Sequence, residues 1–117
     1  MSEIKRFDVG ARMSEMAVHN GVAYLAGQVA SDASLDAQGQ TANVLAQIDA
    51  LLARAGTDKS RILMAQIFLS DLDDFPAMNE VWDAWVASGN APPRATVQAK
   101  LAKAEWKIEI VVSAAAG

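Results

Sequence analysis

The feature that most constrains the fold is a helical repeat that runs almost directly into an apolar stretch of strand length. QTANVLAQIDALLARAG sets Val44, Leu45, Ile48, Leu51, Leu52 and Ala55 at helical spacing and stops at Gly56, the pattern of an amphipathic helix closed by glycine. SRILMAQIFLSD then reads as a strand buried on both faces, because its apolar run is too short for a helix and is bounded by polar residues. Upstream, EMAVHNGVAYLAGQ carries apolar residues on either side of Asn20-Gly21, a dipeptide suited to the positive φ angles of a type I′ turn. A hairpin of Met16 to Val18 against Val22 to Leu25 follows. A helix between strands has to cross over one face of their sheet, so the chain is directed toward a layered α+β arrangement.

The second half repeats the alternation. DLDDFPAMNEVWDAWVASGN offers Asp73 or Asp74 as a cap and Pro76 in the first turn, with Phe75, Met78, Trp82, Trp85 and Val86 on one stripe. This predicts a second helix ending near Gly89. Trp82 and Trp85 share that stripe, so they read as core anchors and not as a base-stacking platform. APPR breaks the chain, and two strands follow, Arg94 to Gln98 and Trp106 to Ala114. The resulting expectation is a two-layer sandwich, a mixed sheet with both helices on one face. In the last strand Ile108, Ile110 and Val112 alternate with Lys107, Glu109, Val111 and Ser113. The second set is half apolar, and an uncovered half-apolar sheet face finds a partner. A homo-oligomer with its sheets turned inward is expected.

Composition narrows the function. With 117 residues, 52% of them hydrophobic, residues 1–117 read as one domain with one core. Cysteine is absent, which removes disulfides, thiolate metal sites and a cysteine nucleophile. The net charge is −4 and the ten Lys and Arg residues are scattered, which argues against nucleic acid as a partner. No apolar run approaches the roughly 20 residues that span a bilayer, and MSEIKRFDVG lacks the apolar core of a secretory signal. A cytoplasmic protein without a membrane partner is expected. His19, the single histidine, precedes the hairpin turn and reads as an exposed turn residue.

Two charged residues interrupt the apolar C-terminal pattern. Arg94 shares a strand face with Thr96 and Gln98, and Glu109 lies on the less apolar face of the last strand. If those faces coincide, guanidinium and carboxylate point into the same oligomer-facing region. They are then either a buried ion pair stabilising the interface or a pocket in which Arg binds an anion and Glu handles protons. Gly27, just after the hairpin, admits either a bend or a close approach to its backbone.

PPRATVQAKLAKAEWKIEI resembles the C-terminal signature of the Rid family (RidA, also called YjgF), where an Arg follows Pro or Ala and a Glu follows a hydrophobic residue in the final strand. YLAGQV is similar to the family's strand ending in Ser-Gly-Gln. QTANVLAQIDALLARAG and DFPAMNEVWDAW are similar to its two helices, the second most like the YoaB subgroup. The resemblance covers nearly the whole chain. It implies a chorismate-mutase-like fold, a barrel-like homotrimer and clefts between neighbouring subunits. It also implies hydrolysis of enamines and imines such as 2-aminoacrylate and 2-iminobutanoate to 2-keto acids and ammonia, with no cofactor and no metal. On this resemblance Arg94 clamps the substrate carboxylate and Glu109 activates water. Gly27 presents its backbone to the ligand, and Asn79 supports the cleft. Thr96 stands where RidA proper has cysteine, Ala26 where it has serine, and Met13 near the place of a tyrosine. The clamp is retained by these residues, whereas substrate preference is not. The alternatives to deaminase activity are a non-catalytic site for small carboxylic acids and, more remotely, the endoribonuclease or translation-inhibitor role described for some family members. RNA cleavage would call for cationic grooves and paired acid-base groups.

Overall fold

The protein, as a computed structural model, is described for residues 3–117. Seven strands and two helices alternate: β1 (Lys5–Phe7), β2 (Met16–His19), β3 (Val22–Leu25), β4 (Gln28–Val29), α1 (Ala37–Arg54), β5 (Ile62–Leu69), α2 (Phe75–Trp85), β6 (Arg94–Gln98) and β7 (Ile108–Ala115). The sheet order is β1-β2-β3-β7-β5-β6, with β4 also pairing β7. All pairs are antiparallel except β5 with β6. The mixed sheet expected from sequence is therefore present. Each helix is a crossover: α2 joins the adjacent parallel strands β5 and β6, while α1 spans β7 to connect β4 with β5.

Local chemistry fixes each element. Asn20 and Gly21 adopt φ of 51° and 77°, the left-handed pair that a type I′ turn requires, and β2 and β3 pair from His19↔Val22 to Met16↔Leu25. Helix α1 starts before Gln40, at Ala37, because the Asp36 carboxylate accepts the Gly39 N–H at 2.8 Å. Its stripe of Val44, Leu45, Ile48, Leu51 and Leu52 is buried in one core with Ile67, Ile110 and Val112 of the sheet. Helix α2 ends at Trp85, short of Gly89. Trp82 is buried in the core, whereas Trp85 is half-buried and donates its indole N–H to Asp49 at 2.9 Å.

One strand departs from expectation. Strand β5 is buried on one face only: Ile62, Ala65, Ile67 and Leu69 face the helices, while Leu63, Met64 and Gln66 are exposed. Both helices occupy the same layer, so the other sheet face carries only its own side chains. Val111 and Ser113 of β7 and Tyr24 of β3 lie there too, over a shallow hollow that also includes Met64 and Gln66. The strands β1 and β4 escape sequence reading because they are three and two residues long, below the length at which period 2 is visible. Trp106 also stays outside β7, which begins at Ile108.

Gln40 is the principal buried polar side chain and is fully exploited. Its amide N–H₂ donates to the carbonyls of Ala33, Leu35 and Glu105 at 3.0–3.2 Å, and its Oε1 accepts the Lys107 N–H at 2.9 Å. One side chain thus ties the loop before α1 and the loop before β7 to the helix. No helix among the described residues is long and apolar enough to cross a membrane.

Candidate active site

Register decides where the two charged residues point. Arg94, Thr96 and Gln98 of β6 pair with Ala65, Ile67 and Leu69 of β5, the residues that face the helices. Glu109 pairs with Phe68 on one side and Val29 on the other, on the uncovered face. Within one chain the two faces do not coincide. The condition on which a shared region depended is not met within one chain: the alternating pleat and intervening β5 set the guanidinium and the carboxylate on opposite sides of the sheet. An ion pair between them within one chain is excluded by the same geometry.

Arg94 sits on the edge strand, half-buried against α2. Its Nη2 donates to Asn79 Oδ1 at 2.7 Å, and its Nη1 stands 3.8 Å from Met78 Sδ. The guanidinium carbon lies 5.1 Å from the Trp82 ring centroid and 5.8 Å from that of Phe75, within cation–π range. Among the described residues Arg94 has no carboxylate partner; the ion pair present, Arg54 with Asp8, is elsewhere. A desolvated guanidinium lacking a counter-ion is costly unless an anion completes it. Beside it opens a cleft of ≈ 470 Å³ lined by Leu72, Phe75, Arg94 and Thr96. A larger hollow of ≈ 660 Å³ lies under residues 98–106. There Lys103 stacks on Trp106 at 5.1 Å; of the two hollows, the smaller one is the one that Arg94 lines.

Glu109 is half-buried and its side chain packs flat on Gly27. A Cβ added at Gly27 would overlap Glu109 Oε2 and stand 2.9 Å from its Cδ, closer than two carbons approach. Of the two readings of Gly27, close approach is the one the structure bears out. Ala26, half-buried beside it, donates its N–H to the Glu15 carbonyl at 2.9 Å. Met13 is 53% exposed in the loop that ends at Glu15. The candidate residues therefore form two groups: Arg94, Thr96 and Asn79 on the helix side at the sheet edge, and Glu109 and Gly27, with Ala26 beside them, on the uncovered side. Phe75, Trp82, Met78 and Leu72 complete the first group. Sequence reading assigns Phe75, Met78 and Trp82 to the core and leaves Leu72 unassigned. The one available signal in the sequence was that the apolar stripe of α2 begins directly after the acidic run Asp71 to Asp74, which contains Leu72. Among the described residues no three His, Cys, Asp or Glu side chains are grouped as a metal ion would need.

Comparison with known proteins gives one answer throughout. A family model described as endoribonuclease L-PSP matches residues 3–116. The chain is 55% identical over 112 residues to a RutC family protein of Haemophilus ducreyi, covering 96% of each chain. It is 52% identical over 112 residues to the RutC family protein YoaB of Escherichia coli, covering 96% of this chain and 97% of the other. A solved YjgF-family structure from Neisseria meningitidis superposes with a TM-score of 0.96 at 46% identity, covering 98% of this chain and 96% of that one.

Proposed function

The chain belongs to the Rid family, also called YjgF or RutC, near YoaB, and from that premise we propose that it is a hydrolytic deaminase of 2-imino acids. The observation that carries the reading is Arg94: a half-buried guanidinium, anchored by Asn79 and lacking a carboxylate partner among the described residues, at the wall of an apolar cleft. It has the fork geometry that a carboxylate accepts in two parallel hydrogen bonds, worth about 1.5–3 kcal/mol each when desolvated.

In the proposed reaction the imine R–C(=NH)–COO⁻ docks its carboxylate on Arg94. Glu109 removes a proton from water as the oxygen attacks the imine carbon and gives it to the nitrogen, forming a carbinolamine; the hydroxyl proton then passes through Glu109 to the same nitrogen as C=O forms and the C–N bond breaks. The products are a 2-keto acid and ammonia. Positioned acid-base help of this kind contributes roughly 10²–10⁴-fold. Because Arg94 and Glu109 face opposite sides of the sheet in one chain, the site requires Arg94 from one copy and Glu109 from a second, in the expected homotrimer. Edge strand β6 and the uncovered half-apolar sheet face support that assembly. Thr96 supplies one hydroxyl, and Ala26 and Met13 make the rest of the lining less polar than in RidA proper. RNA cleavage finds no support in the residues: the chain has one histidine and a net charge of −4.

The test is the lifetime of an imine released by threonine dehydratase, followed by semicarbazide trapping. The proposal expects faster loss with the wild type and none with Arg94→Ala or Glu109→Gln. Wild type without effect on imines from either threonine or serine, yet binding 2-keto acids, would replace the deaminase by a carboxylic-acid binding protein.

A further inference from the structure

The proposed reaction leaves the outer wall of the Arg94 cleft without a role. Leu72 and Phe75 are large apolar side chains that remain 48% and 37% exposed, and both line the cleft. They do not ride on a loose loop. The Leu72 N–H donates to Gln98 Oε1 at 2.9 Å, so the strand that carries Arg94 also pins the turn. Asp71 closes that turn, its carboxylate accepting the Asp73 N–H at 2.9 Å and its carbonyl the Asp74 N–H at 3.0 Å. Phe75 is fixed at the start of α2 with its ring against the guanidinium. An exposed apolar surface held rigid beside an unpaired cation is preorganised for a ligand that joins a carboxylate to an apolar tail.

We infer that Leu72 and Phe75 select the side chain of the substrate, and that the site takes 2-imino and 2-keto acids with branched or longer aliphatic chains in preference to the shortest ones. The inference rests on the carboxylate role proposed for Arg94. A small acid docked on the guanidinium has its remaining atoms within a few ångströms, and the surface that the Arg94-bearing copy offers in that reach is Leu72, Phe75 and Thr96, opposite the Glu109 of the second copy. A methyl group leaves most of this wall in contact with water. Each further methylene moved onto it favours binding about fourfold when fully covered, so an isobutyl side chain gains on the order of tenfold on a wall open at one side. Asp71, Asp73 and Asp74 crowd the same turn, which disfavours a tail ending in a second carboxylate.

Titration calorimetry on the full chain, with pyruvate, 4-methyl-2-oxopentanoate and 2-oxoglutarate as probes, reads this preference without requiring turnover. The expected result is about tenfold tighter binding of the branched acid than of pyruvate, with 2-oxoglutarate weakest. Leu72→Ala should shrink the ratio severalfold, while Arg94→Ala weakens all three. Equal affinities for pyruvate and the branched acid, or a ratio unmoved by both Leu72→Ala and Phe75→Ala, would overturn the inference. Selective binding without imine hydrolysis would refute the deaminase and leave the selectivity standing. No binding of any of the three acids would overturn both.

Discussion

Replacing Gly27 by alanine adds one methyl group and should separate activity from stability. The new Cβ would stand 2.9 Å from Glu109 Cδ and overlap Oε2. Ordinary carbon contact is about 3.5–4.0 Å, so the carboxylate must retreat by roughly an ångström. The obstacle is the far end of a flexible side chain, which can swing away on the open side of the sheet. Gly27 is also not among the glycines with positive φ, so alanine meets no backbone strain there, and the loss of glycine freedom in the unfolded chain favours folding by about 0.4–1 kcal/mol. The melting temperature should therefore stay within a few degrees of wild type. A general base displaced by about an ångström costs on the order of 10²-fold, so kcat/KM in the imine-lifetime assay should fall by about that factor. Full activity at unchanged stability would refute the reasoning, because Glu109 would then not need its seat on Gly27. Unfolding would refute it differently, by making Gly27 a structural residue.

Three further outcomes follow from particular contacts. Gln40→Leu keeps the volume but strands three carbonyls and an amide N–H in the interior; it should cost about 2–4 kcal/mol in urea unfolding, and a loss under 1 kcal/mol would mean that the two loops do not depend on it. Asn79→Ala frees the Arg94 Nη2 that it now fixes at 2.7 Å, so calorimetric affinity for 2-keto acids should fall roughly three- to tenfold at unchanged melting temperature; unchanged affinity would show that Arg94 needs no anchor. Hydrogen bonding and charge from Arg54 hold the Asp8 carboxyl below its usual range. Its contribution is therefore present above the ordinary aspartate pKa of about 3.9 and is lost as pH falls through the depressed folded value. Asp8→Asn should be less stable than wild type near neutral pH, with the two unfolding curves converging in acid; a gap that widened in acid would contradict the assignment.

The residues that face the core were legible in the sequence because burial imposes a period. Val44 to Leu52 and the alternation Ile108, Ile110, Val112 each lead to the correct face, and Asn20-Gly21 leads to the correct turn. Strand β5 shows where periodicity fails: Leu63 and Met64 are as apolar as their buried neighbours, yet they are exposed in the single chain. An apolar strand reads the same whether helices or a second copy cover it. Arg94 and Glu109 stood out as chemistry, but the side each faces depends on β5 lying between β6 and β7, a long-range pairing that no local pattern encodes. Leu72 and Gln40 were missed for opposite reasons. Leu72 looks like any apolar residue in an acidic turn, whereas Gln40 sits at the polar start of a helix whose buried stripe it extends.

The central claim is that the site joins Arg94 of one copy to Glu109 of another, and complementation between two inactive variants tests it most directly. Arg94→Ala and Glu109→Gln chains would be unfolded together in equal amounts, refolded, and assayed for imine hydrolysis beside each variant refolded alone. With random assembly and heterologous contacts, one site in four draws an intact Arg94 from one variant and an intact Glu109 from the other, so about a quarter of wild-type activity should return. Mixed assemblies that form yet stay as inactive as their parents, while wild type treated identically recovers, would contradict the account, because both residues would then have to come from the same chain.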